Sequence, residues 1–147
     1  MIRITTAGNR EDYELCADIW LETSLKAHDF VSSQFWEEQR KFMIEKYLPE
    51  SVVFMATLEN GPAVAFAALS GSQLAALFVS PLYWGQGVGG KLLRHVFTLY
   101  DDLSLKVYEK NKRAIAFYEN MGFVETGRSL CGHSGEEELV MQLKSPR

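Results

Sequence analysis

The chain has 147 residues, of which 47% are apolar and 23% charged, and a formal net charge of −4. That length corresponds to one domain, at about 100–200 residues per domain, and is enough for a real core. The acidic balance supplies no basic field, which argues against nucleic acid or an anionic membrane as partner, and no run approaches the roughly 18 apolar residues of a membrane span.

Residues 2–5 (IRIT) alternate as a short strand. Asn9 is placed to cap a helix whose first turn holds Glu11 and Asp12, where carboxylates favour the helix dipole. Tyr13, Cys16, Ala17 and Trp20 then share one face at i, i+3, i+4, i+7 spacing. A second helix is predicted over 33–48, carrying Trp36, Met43 and Tyr47 and closed by Pro49. The period then changes. SVVFMATL (51–58) and PAVAFAALS (62–70) flank Asn60–Gly61, a strong hairpin dipeptide. LAALFV (74–79) is apolar at every position, the pattern of a strand buried on both faces.

After a glycine-rich stretch, Gly89, Leu92, Leu93, Val96, Phe97 and Tyr100 form one face of a helix. LSLKVY (103–108) is the next strand, and Asn111 caps a helix with Gly122 at its C′ position. FVETGR (123–128) and ELVMQL (138–143) follow as strands. The order β-α-α-β-β-β-α-β-α-β-β has no repeat or linker, so residues 1–147 read as a single domain. Strands form a meander first and become helix-connected only after residue 80. That is α+β, with one β-α-β crossover around the glycines.

Cys16 and Cys131 form neither a C-x-x-C pair nor a disulfide framework, and Cys16 reads as a small buried hydrophobe. His28, His95 and His133 have no metal-ligand spacing. No basic start followed by an apolar run marks a leader. The expectation is a metal-free cytoplasmic protein, monomeric or homodimeric.

The stretch PLYWGQGVGGKLL (81–93) packs four glycines into positions 85–90. Glycine-rich turns let backbone N–H groups converge, and the following helix adds the positive end of its dipole, so the stretch suits a phosphate. Gly85, Gly87 and Gly90 spell the G-x-G-x-x-G of a dinucleotide turn, and Glu109 stands 19 residues after Gly90, where such a fold holds a ribose. Only 38 residues follow Glu109, too few for the remaining β-α units, and the hairpin and two helices ahead of the loop have no place in that fold. The count of elements rules against a dinucleotide site.

LFVSPLYWGQGVGGKLLRHV, followed by LKVYEKNKRAIAFYENMGFVETGR, resembles the GNAT superfamily of N-acetyltransferases. There a strand ending near V-x-P leads into R/Q-x-x-G-x-G/A and a helix, and a later N-x-x-A-x-x-F-Y-x-x-x-G-F helix completes the cofactor site. Asn111, Ala114, Phe117, Tyr118, Gly122 and Phe123 match the second motif in full. The element order of nearly the whole chain fits as well. One position departs: Trp84 stands where the family commonly has Arg or Gln, with Gln86 two positions on as a polar substitute.

The resemblance implies acetyl transfer from acetyl-CoA, as cosubstrate, to a primary amine of a small molecule or peptide. It implies direct attack in a ternary complex, with no covalent enzyme intermediate. The pantetheine arm would lie along Leu77, Phe78 and Val79, hydrogen-bonding backbone groups of Leu77 and Val79 like another strand, with a backbone N–H near Phe78 polarising the acetyl oxygen. The pyrophosphate would lie on the amides of Gly85, Gln86, Gly87, Val88, Gly89 and Gly90, and Asn111 would touch the cofactor. Tyr118 would be the general acid for the leaving thiolate. For the base, His28 in the link between the first two helices, Glu109 and a water chain are the candidates, His28 also as part of the acceptor wall. The acidic run Glu136 to Glu138 and the aromatic residues Trp20, Phe30, Phe35 and Trp36 are further candidates for acceptor walls, against their ordinary uses as solvated surface and core. The alternative function is a non-catalytic acyl-CoA sensor.

Overall fold

The computed structural model describes residues 2–27, 33–59, 61–130 and 135–143, with the side chains of 24–27 and 33–36 left out of the description. Its elements are β1 (Ile2–Thr6), α1 (Arg10–Ala27), α2 (Ser33–Phe42), β2 (Val52–Leu58), β3 (Ala63–Ser70), β4 (Gln73–Val79), α3 (Val88–Phe97), β5 (Ser104–Tyr108), α4 (Lys112–Asn120), β6 (Phe123–Leu130) and β7 (Glu137–Leu143). The strands form one seven-stranded sheet in the order β1-β2-β3-β4-β5-β7-β6. Neighbours are antiparallel except β4 and β5, which run parallel. The α+β expectation and the single crossover through α3 hold. Among the described residues no helix is long and apolar enough to cross a membrane.

Period-2 alternation divides β2 and β3 between two cores. Phe54, Ala56, Ala65, Ala67 and Leu69 face α3, joining Leu92, Leu93, Val96, Leu105, Phe123 and Met141. Val53, Met55, Phe66 and Ala68 face the other way, against Cys16, Ala17 and Ile19 of α1. β3 is therefore the strand buried on both faces, every residue from Val64 to Leu69 being buried. That reading of 74–79 is corrected: in β4 only Leu74 is fully buried, because the strand's later residues border a cleft rather than a packed layer.

Local signals explain the ends of the elements. Asn9 Oδ1 accepts the Asp12 N–H at 2.9 Å, and Asp12 returns a carboxylate oxygen to the Gly8 N–H at 3.1 Å. The helix predicted over 33–48 stops being α at Phe42 and continues as a π turn, Met43–Tyr47, closed by the Leu48 N–H to Met43 O at 2.9 Å. The wider turn carries buried Met43, Ile44 and Leu48 into the α1 core before Pro49 ends the segment. The hairpin between β2 and β3 closes with Leu58 N–H to Pro62 O at 3.1 Å and Gly61 N–H to Leu58 O at 2.9 Å. The loop is thus one residue longer than the two-residue turn that Asn-Gly favours, and the register shifts after Ala56.

Candidate active site

The site begins where the sheet parts. β4 and β5 share one ladder pair, Gln73 with Ser104, near their N-terminal ends. Beyond it lies a cleft of ≈ 520 Å³, bordered by Leu77, Phe78 and Val79 on one side and by Ala114, Phe117 and Tyr118 of α4 on the other. Which backbone groups face it follows from the β3–β4 register. Ser80 N–H donates to Val64 O at 2.8 Å, and Ala65 pairs with Val79, Phe66 with Phe78 and Ala67 with Leu77. Hydrogen-bonded and non-bonded pairs alternate along an antiparallel ladder, so Phe78 exchanges its bonds with Phe66. Leu77 and Val79 therefore turn their N–H and C=O groups toward the parting. Leu77 and Val79, whose backbone groups were expected to meet the pantetheine arm, are thus the residues that face the parting, while Phe78's own N–H belongs to the ladder.

Trp84 has a definite task at the strand end. Its Nε1–H donates to Val79 O at 2.7 Å, and the Thr23 hydroxyl lies 3.5 Å from the same oxygen. An indole thus satisfies a carbonyl that the missing β5 pairing leaves without a strand partner.

The mouth of the cleft is the glycine loop. Gly85 and Gly87 both have φ +79, a left-handed conformation that a side chain disfavours. Gly87 is the N-cap of α3, and the first helical bond runs from Lys91 N–H to Gly87 O at 3.1 Å. The N–H groups of Val88, Gly89 and Gly90 consequently have no intrahelical acceptor. They converge where the positive end of the α3 dipole meets the cleft, a surface fitted to phosphate oxygens. Gly85, Gly87, Val88, Gly89 and Gly90 all border it. The Gln86 side chain does not: its Nε2 turns back to Leu82 O at 3.4 Å, so only its backbone remains with the loop.

α4 forms the facing wall. Asn111 caps it by accepting the Ala114 N–H on Oδ1 at 3.2 Å, and the same residue lines the cleft. Tyr118, seven residues later, has its ring edge-on to Phe117 and Phe123, with centroids 5.3 and 5.6 Å away. Burial pushes its phenol up to about 12, because a phenolate there would lose its hydration. Tyr118 therefore stays a neutral O–H donor at any physiological pH.

The other candidates are dispersed. His28 and Phe30 lie outside the described residues, as do Cys131 and His133, and the side chains of Phe35 and Trp36 are not described either. Glu109 is held in a surface network, 3.1 Å from Arg128 and 3.7 Å from Lys112, and does not border the cleft. Glu136 pairs with Lys110 at 3.1 Å and Glu137 with Arg128 at 3.3 Å, so two members of the acidic run are solvated ion pairs. Trp20 packs against the α1 core. His95 sits edge-on to Phe54, 5.4 Å between centroids. Cys16 is fully buried, and its thiol is pushed up to about 12 by burial, with Asp12 adding to the shift. Among the described residues no cluster of metal-ligating side chains occurs.

Thr23, Tyr83 and Arg113 also line the cleft without having been anticipated. No pattern in the sequence marks Thr23 or Tyr83. Arg113 carried a signal, since a cation in the first turn of a helix opposes the dipole and calls for a reason.

Comparison with known proteins agrees with this geometry. Residues 13–123 match the family described as "Acetyltransferase (GNAT) family". The chain is 34% identical to the peptidyl-lysine N-acetyltransferase YjaB of Salmonella typhimurium over 146 residues, covering 99% of each chain. It is 36% identical to the Escherichia coli protein of the same name, over 97% of this chain and 96% of that one. The solution structure of apo-YjaB from Escherichia coli superposes with a TM-score of 0.81, at 31% identity and 99% coverage of both chains. A Thermoplasma acidophilum PaiA N-acetyltransferase, solved in complex with coenzyme A, shares the fold with a TM-score of 0.77 at 17% identity, over 98% of this chain and 99% of that one.

Proposed function

The chain belongs to the GNAT acetyltransferase family and transfers acetyl from acetyl-CoA to an amine; we propose that its acceptor is a lysine side chain of a peptide or protein, attacking the thioester directly in a ternary complex. Full-length similarity to two proteins named peptidyl-lysine N-acetyltransferases carries the choice of acceptor. The same similarity to named enzymes weighs against a sensor without activity.

The chain's own groups divide the work. The amides of the glycine loop, from Gly85 to Gly90, hold the diphosphate of the cosubstrate, and Asn111 borders it from α4. The backbone groups of Leu77 and the N–H of Val79 take the place of a missing strand and grip the pantetheine amides. The Leu77 N–H is the donor toward the acetyl oxygen, where negative charge grows as the amine nitrogen attacks. Support for this comes from the ladder, which turns Leu77 and Val79 toward the parting while Phe78 faces β3. As the C–S bond breaks, Tyr118 donates its proton to the departing sulfur. The neutral phenol carries the proton that the departing thiolate needs. Water or His28 accepts the proton lost by the amine.

Incubation with acetyl-CoA and three amine classes tests the acceptor: lysine peptides, the same peptides with acetylated lysines and free α-amines, and small polyamines. Thiol release with lysine peptides, and mass spectra placing the acetyl on Nζ, are the expected results. Release with small polyamines alone would overturn the peptide acceptor.

A further inference from the structure

Three basic residues surround the cap of α4, in the segment Lys110-Asn111-Lys112-Arg113. Lys110 is paired with Glu136 at 3.1 Å and Lys112 with Glu109 at 3.7 Å. Arg113 differs. Among the described residues it has no carboxylate partner, and its guanidinium carbon lies over the Trp84 ring, 5.3 Å from the centroid. Both side chains line the cleft beside Gly85 and Gly87. A cation at the second position of a helix is disfavoured by the dipole unless an anion joins it. An aromatic face beneath it holds the guanidinium in place by cation–π attraction while leaving its N–H groups free to donate. Trp84 itself is anchored from below by its bond to Val79 O.

We propose that Arg113, shelved on Trp84, is the side-chain cation for a phosphate of the cosubstrate. It places a cation on the adjoining helix beside Trp84, which stands where the family commonly has Arg or Gln. This rests on the reading of the cleft as the acyl-CoA site. The phosphate is one of the diphosphate pair or the 3′-phosphate, which share the anionic oxygens that a guanidinium recognises.

Calorimetric titration of the full-length chain with CoA tests it, using R113Q, W84A, W84A/R113Q and the exchanged pair W84R/R113Q. Arg113→Gln is expected to weaken CoA binding about tenfold, the size of one charge-assisted contact at a partly exposed site. Its affinity should also fall less steeply with added salt than that of the parent chain. W84A should weaken binding by a similar factor, W84A/R113Q by no more than R113Q, and W84R/R113Q should recover most of the loss. Because every replacement of Trp84 also frees the Val79 carbonyl, R113Q, which leaves that bond in place, decides the matter. Repetition with 3′-dephospho-CoA names the phosphate: a penalty for R113Q that vanishes assigns the 3′-phosphate, and one that persists assigns the diphosphate. Binding of CoA by R113Q within twofold of the parent chain, with the same salt dependence, would overturn the role of Arg113. Absence of CoA binding by the parent chain itself would instead overturn the reading of the cleft.

Discussion

Tyr118 is the side chain where packing and the proposed proton donation meet. Its ring is fixed edge-on by Phe117 and Phe123, and the residue lines the cleft. Tyr118→Phe keeps those ring contacts and deletes the proton, so it should lower kcat about 10²-fold while leaving CoA affinity within twofold, as single-turnover and binding measurements would read. The raised pKa adds a second expectation. Below pH 10 the phenol is protonated in both the folded and unfolded chain and contributes no pH dependence. Between the ordinary value of 10.0 and about 12 the unfolded chain loses its proton first, so stability falls as pH rises. Thermal melts across that window should fall less in Tyr118→Phe than in the parent chain. Likewise kcat should show no descending limb from Tyr118 below about pH 10. The residue was legible in the sequence through the Asn111-to-Phe123 motif, and its apolar helical spacing alone pointed to the core. Arg113 was the reverse case: its letter was plain, but its neighbour Trp84 is 29 positions away and only the fold joins them.

Among elements, the loop into α3 was the most readable and β4 the least. The loop's glycines announce left-handed φ because no other residue takes φ +79 without strain, and Gly85 and Gly87 both adopt it. Gly87→Ala should cost about 1–2 kcal/mol of stability in urea titrations and also weaken CoA binding, since the loop would reopen to relieve the strain. Gly71→Ala, at φ +59 in the β3–β4 turn away from the cleft, provides the comparison: similar destabilisation with CoA binding retained. For β4 the apolar run 74–79 suggested burial on both faces, yet the layer that would cover its far end is the cleft. Apolar letters mark surface removed from water, and they read the same whether protein or a ligand's pantetheine arm removes it. The π turn at Met43–Tyr47 left no mark either, because one inserted residue preserves the apolar composition while changing its phase.

At the scale of the whole molecule, the sheet couples core to site. Phe66 is fully buried on β3, stacked on Phe78 of β4 with 5.7 Å between centroids. Phe66→Ala should destabilise the chain by about 3–5 kcal/mol in urea titrations. It should also weaken CoA binding in whatever fraction stays folded, because Phe78 would lose the support that fixes the direction of β4. The parting itself is a whole-sheet property. β3 and β7 bind the outer sides of β4 and β5, so the two parallel strands can join at Gln73 and Ser104 yet stand apart further on.

The sequence by itself determined the element order, the capping of α1 and α4 by Asn9 and Asn111, the left-handed glycines and the family. Each rests on local spacing or on a backbone preference that a few neighbouring residues express. Tertiary structure decided which backbone groups of β4 face the cleft, those of Leu77 and Val79, while Phe78 bonds to β3. It also turned Gln86 away, tied Glu109 into an ion-pair network, assigned Trp84 to the Val79 carbonyl and set Arg113 over it. These depend on register and on contacts between distant segments. A ladder's parity and a side chain's partner are set by whatever strand or helix arrives beside it, and the local letters do not encode that arrival.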